Sequence, residues 1–72
     1  GVPVNCINPG PTDTGYATGR FHQAIARMFP AGRWGTPDDV ANLVAWLAGD
    51  EAAWITGQVL VSEGGFRRWA KP

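Results

Sequence analysis

A short apolar run that stops at a proline constrains this chain more than any other stretch. Val2, Val4, Cys6 and Ile7 precede Pro9-Gly10. These residue types favour extended, mostly buried backbone, so residues 2–8 are expected to form a strand. The run is apolar on both faces apart from Asn5, the pattern of a parallel strand with helices above and below it. Pro9 lacks an N–H and fixes φ, so the ladder cannot pass through it. Gly10 leaves no Cβ in the way of a ligand approaching its backbone. Thr12 and Thr14 then bring hydroxyls and free N–H groups to the carboxyl end of a strand, where open α/β sheets bind ligands.

Downstream, Phe21, Ile25, Met28 and Phe29 recur at helical spacing over residues 18–29, and Pro30 ends the pattern. Ala31-Gly32-Arg33-Trp34-Gly35 reads as a glycine-punctuated linker. Thr36-Pro37-Asp38-Asp39 then opens a helix over 37–48. Thr36 suits the N-cap, Pro37 the first helical position and Asp39 the third, as in a capping box. The two aspartates complement the helix dipole, which accounts for them without chemistry. Val40, Leu43, Val44 and Leu47 form its apolar face, widened by Ala41, Trp46 and Ala48, and Gly49 ends it. Asp50 is expected to cap one extra turn. Residues 58–62 form a second short strand, and Phe66–Pro72 a basic, aromatic, solvated tail. Strand, helix, helix, strand is a βαβ unit, so the two strands should be parallel neighbours.

Several chemistries are excluded. Gly10 and Gly15 have the Gly-x4-Gly spacing of a phosphate loop, but Tyr16 follows where Lys is needed. Asp13 suits a turn cap or a solvated carboxylate better than a catalytic one. His22 is the only histidine and has no second ligand at metal spacing, so no metal is expected. Cys6 reads as a small buried hydrophobe, since no nearby cation activates its thiol. A lone cysteine forms no internal disulfide, and the reducing cytoplasm is the expected compartment. Six basic residues balance six acidic ones, which gives no reason to expect nucleic acid or an anionic membrane as partner. No apolar run nears the ~20 residues of a membrane span. Four tryptophans in 72 residues imply large aromatic contact areas, some against partner surfaces.

Val4-Asn5, Ile7, Pro9-Gly10 and Thr14 resemble the segment after the sixth strand of the short-chain dehydrogenase/reductase family, in its classical, 3-oxoacyl-acyl-carrier-protein-reductase-like form. The similarity continues through Gly32-Arg33-Trp34-Gly35-Thr36-Pro37-Asp38-Asp39-Val40-Ala41, Trp54-Ile55-Thr56-Gly57-Gln58 and Glu63-Gly64-Gly65. Glu63 departs from the usual aspartate. The resemblance implies a βαβ C-terminal piece of a Rossmann-type doubly wound parallel sheet, residues 1–72 being the C-terminal part of one such domain. It implies NAD or NADP as cofactor, with Pro9, Gly10, Thr12 and Thr14 forming one wall of the nicotinamide site. The helix over 18–29, with Tyr16, Phe21 and Ile25, corresponds to the family's substrate lid.

The family's Gly-rich cradle and its catalytic Ser, Tyr and Lys match nothing in these 72 residues, so no catalytic residue is assigned. Tyr16-x3-Arg20 is no substitute. It ends in Arg and follows the Pro-Gly turn, whereas the catalytic pair precedes it. The family's NAD-versus-NADP determinants, after its second strand, are likewise unmatched. The expectation is part of an NAD(P)-dependent oxidoreductase acting between alcohol and ketone, inactive alone. The alternative is a small self-associating α/β module without catalysis. Either way the expected partner is the missing N-terminal part of the domain or another copy, and a homo-oligomer is expected.

Overall fold

The computed structural model describes residues 1–69. In chain order it contains strand β1 (Cys6–Asn8), helix α1 (Gly19–Ala26), helix α2 (Pro37–Leu47), a 3₁₀ turn at Asp50–Ala52 and strand β2 (Val59–Val61). The strands pair parallel, Cys6 with Val59, Ile7 with Leu60 and Asn8 with Val61, as expected of the βαβ order. Ala70, Lys71 and Pro72 of the expected tail lie outside the described residues.

Both strands are shorter than the apolar runs that encode them. The Asn5 side chain explains the irregular start of β1. Its Oδ1 accepts the Gln58 N–H at 3.0 Å and its Nδ2 donates to the Ile55 carbonyl at 3.3 Å, so an amide side chain stands where backbone would pair. Upstream, the Val4 N–H donates to the Thr56 hydroxyl and the Val4 carbonyl accepts from Gly57. Helix α2 runs over the face that carries Asn5 and Ile7, with a hollow of about 320 Å³ between that face and Val44, Leu47 and Ala48. The opposite face, with Cys6, Val59 and Val61, is uncovered by the described residues. Cys6 is therefore exposed, against the expectation of a buried hydrophobe. Val2 and Val4 are exposed as well. An apolar sequence marks a strand; burial needs a covering layer.

Helix α2 starts as its sequence requires. The Thr36 N–H donates to Asp39 Oδ2 at 2.7 Å, the Thr36 hydroxyl donates to the same oxygen at 3.1 Å, and Pro37 is the first helical residue. Arg33 adds a donor to that oxygen at 2.9 Å. Gly49 follows the helix end with its N–H on the Trp46 carbonyl, but its φ of −89° is not left-handed, so any residue suits it there. Gly49, not Asp50, is the cap of the 3₁₀ turn.

The core lies elsewhere than under α2. Ala17, Phe29 and Trp34 are buried together, with Ile25, Ala26 and Phe66 packed against them. The linker thus supplies the principal core residue: Trp34 is 4% exposed. Its ring stacks on His22 at 5.1 Å between centroids and meets Tyr16 edge-on at 5.6 Å. Its Nε1–H donates to the His22 carbonyl at 2.9 Å. The other tryptophans do not share this role; Trp54 is 99% exposed. The tail also departs from a solvated end. Arg67 donates its N–H to the Met28 carbonyl at 2.8 Å and its guanidinium to the Arg27 carbonyl at 3.1 Å, while Phe66 packs on Phe29.

Truncating a buried tryptophan costs about 3–5 kcal/mol, close to the whole stability of a chain this small. Trp34→Ala is expected to abolish cooperative urea unfolding followed by circular dichroism. Trp34→Phe keeps a ring but loses the Nε1–H bond, and is expected to cost about 1–2 kcal/mol and keep a sharp transition.

Candidate functional site at the strand ends

The Pro-Gly turn leaves β1 next to the end of β2, so both strands deliver their loops to one place. Gly10 has φ +64°, and a Cβ there would come within 2.6 Å of the Glu63 Cβ. Both the backbone angle and the approach of the β2 loop therefore demand glycine. The Gly10 N–H donates to Asn8 Oδ1 at 3.1 Å, and its carbonyl accepts the Thr12 hydroxyl at 3.2 Å. The expected bare main chain at Gly10 is thus locally bonded, while the Thr12 oxygen retains acceptor capacity. Thr12 then aligns parallel with Gly35, and the Asp13 N–H donates to the Gly35 carbonyl at 2.8 Å, tying the loop to the linker.

Pro9 and Thr12 line a hollow of about 260 Å³ with Ser62, Glu63, Thr36 and Asp39 among the other lining residues. Gly10 adjoins it through Glu63, and Thr14 lies exposed farther along the loop. Its charges are matched in pairs. Arg33 meets Asp39 at 2.9 Å, and Arg68 meets Glu63 at 2.9 Å. The Asp39 carboxyl is lowered from 3.8 to about 2, first by the Arg33 guanidinium and then by the Thr36 N–H and hydroxyl. What remains free to a guest is hydroxyl and apolar surface, which suits a neutral polar group more than an isolated ion.

The three expected lid residues do not share one surface. Tyr16 and Phe21 are exposed, whereas Ile25 packs into the core. The structure instead joins Asp13 to His22. His22 Nε2 lies 2.9 Å from Asp13 Oδ2, and Asp13 Oδ1 accepts the Gly15 N–H at 3.1 Å. The turn-capping role expected of Asp13 is present, but the histidine is additional. It lowers the Asp13 pKa, with the Gly15 N–H contributing next. Sequence reasoning missed this pair and Trp34 because neither follows a spacing rule; each depends on how the loop folds back onto α1.

A family model described as enoyl-(acyl carrier protein) reductase matches residues 1–67. A solved short-chain dehydrogenase from Bacillus anthracis str. 'Ames Ancestor' superposes with TM-score 0.78 at 34% identity, covering 99% of this chain and 28% of that one. This chain belongs to the short-chain dehydrogenase/reductase family. Among curated relatives of this short-chain dehydrogenase/reductase chain, the uncharacterised oxidoreductase YjdA of Bacillus subtilis (strain 168) is 54% identical over 68 residues, 94% of this chain and 27% of YjdA. The 3-oxoacyl-[acyl-carrier-protein] reductase FabG of Rickettsia felis is 43% identical over 68 residues, 90% of this chain and 28% of that protein. The chain spans little more than a quarter of these relatives' lengths. The solved neighbours place its parallel pair within a Rossmann-type fold.

Two outcomes follow at this site. Gly10→Ala should lower stability by roughly 2–4 kcal/mol in urea titrations, from the left-handed backbone and the overlap with Glu63. Because Asp39 titrates lower when folded than its usual 3.8, its contribution to stability is complete above that pH and fades as pH falls toward about 2. Helical circular dichroism should decline over that window. Arg33→Ala should move the Asp39 carboxyl titration, followed by NMR, back upward.

Proposed function

We propose that the chain forms one wall of the nicotinamide site, and the substrate lid, of an NAD(P)-dependent short-chain oxidoreductase that moves hydride between the cofactor and an alcohol or ketone. One observation carries this reading: the Pro9-Gly10 turn opens at the carboxyl ends of two parallel strands, beside a hollow whose charges are already paired. That is where open α/β sheets place ligands. A neutral carboxamide suits the Thr12 oxygen and the loop backbone. Thr14, exposed next along the loop, hydrogen-bonds the carboxamide or a cofactor phosphate in this reading. Helix α1, with Tyr16 and Phe21 on its approach and outer side, closes over the substrate and excludes water. The cofactor supplies the hydride; this chain's residues orient its nicotinamide end. The proton donor and the Gly-rich cradle belong to the rest of the domain, so the 72 residues are inactive alone. The lone cysteine, with no internal disulfide to form, fits a cytoplasmic setting. Among the described residues no helix is long and apolar enough to cross a membrane.

A second reading is self-association without catalysis. The face with Cys6, Val59 and Val61 is open, the two valines being 69% and 60% exposed, and Trp46 and Trp54 add exposed aromatic surface. A two-stranded sheet is marginal in water, so this face needs the rest of the domain or another copy against it. Sedimentation of the 72-residue chain separates the readings, since a compact monomer at high concentration counts against self-association.

The nicotinamide reading is tested with a hybrid in which residues 1–72 replace the matching segment of the Rickettsia felis reductase. The hybrid should bind reduced nicotinamide cofactor, followed by its fluorescence. Thr14→Ala should weaken that binding about tenfold, the worth of one good hydrogen bond. The chain alone should show no saturable binding; tight binding or turnover by it overturns the reading.

A further inference from the structure

Helix α1 is poorly made to start by itself. It has eight residues, its first is Gly19 at φ +60°, and Thr18 in the N-cap position makes no side-chain cap among the described residues. No acidic residue stands in its first turn. So short a helix is marginal in water and relies on tertiary contacts. At its entry those contacts converge on one residue. The His22 ring bonds Asp13 at 2.9 Å and stacks on Trp34 at an interplanar angle of 14°, while the His22 carbonyl accepts the Trp34 Nε1–H. Asp13 lies between Thr12 and Thr14. Its two carboxylate oxygens divide the work, Oδ1 on the Gly15 N–H and Oδ2 on His22.

We propose that His22 is a positioning residue: through Asp13 it latches the entry of the lid helix to the loop that carries Thr12 and Thr14. This rests on the nicotinamide reading above. With the latch made, loop and helix α1 move as one body over Trp34, so a nicotinamide that orders the loop also orders the lid. With the latch broken, the loop keeps its own bonds to Gly10 and Gly35, but the first turn of α1 loses its side-chain tie to that loop. The effect therefore falls on the substrate and not on the cofactor.

Two measurements test it, with His22→Ala and the conservative His22→Gln, whose amide can still donate to Asp13. In the 72-residue chain, amide exchange over residues 22–26 should quicken about tenfold in His22→Ala, the worth of a charge-assisted hydrogen bond, while residues 40–47 are unchanged. His22→Gln should restore most of the protection. In the Rickettsia felis hybrid, His22→Ala should raise KM for the carbonyl substrate with kcat and reduced-cofactor binding within twofold, and His22→Gln should recover KM. Unchanged exchange in His22→Ala, or loss of exchange protection not rescued by Gln, overturns the latch whatever the hybrid does. Quickened exchange with an unchanged KM in a hybrid that binds cofactor overturns its action on substrate. Quickened exchange in a hybrid that binds no cofactor overturns the nicotinamide reading instead, and leaves only a structural pair.

Discussion

Burial of the Trp34 indole holds the parts of this chain that surround the strand ends. The loop and helix α1 both reach the indole of the linker. Tyr16 meets its edge, His22 its face and the His22 carbonyl its N–H. An aromatic ring supplies both area and a directed donor, so the same residue sets distance and orientation. The bond from the Asp13 N–H to the Gly35 carbonyl, next to Trp34 in the chain, brings the Pro9–Gly15 loop into the same assembly. Helix α1 is pinned at its exit too, by the Arg67 bonds to the Arg27 and Met28 carbonyls and by Phe66 on Phe29. A short helix held at both ends by tertiary contacts has low intrinsic stability.

The other organising contact is the approach of Gly10 to Glu63. It closes the gap between the two strand ends and shapes one side of the hollow lined by Pro9 and Thr12. Glu63, whose side chain is 9% exposed, is met there by Arg68 at 2.9 Å. A buried carboxylate without that partner would be costly. The pairing draws its cation from the C-terminal segment. The hollow is therefore bordered by groups already satisfied, leaving hydroxyl oxygens and loop backbone to meet a ligand.

How far each feature was legible depends on its range. The parallel βαβ order, the start of α2 and the turn at Pro9-Gly10 follow from neighbours in sequence: β-branched runs, the Thr36-Pro37-x-Asp39 signature and the proline that ends a ladder. Family membership was legible for the same reason, since its motifs are local strings in a fixed order. Strand lengths were not, because Asn5 substitutes a side chain for backbone in the ladder. Burial was not either. Cys6 reads as core, yet it lies on a face that the described residues leave uncovered. The expected wall of four residues was legible as a loop, but only the fold showed that Pro9 and Thr12 share a hollow while Thr14 stands apart.

By itself the sequence determined the elements, their order and the place where the chain must turn, since propensity, capping and proline sterics act over a few residues. The tertiary structure alone decided that the linker tryptophan is the core, that His22 closes onto Asp13, and that the basic C-terminal segment grips the end of α1. Each of these joins residues whose separation obeys no helical or strand period. They meet only because the parallel pairing of β1 with β2 brings the loops at the strand ends together and folds α1 back across them.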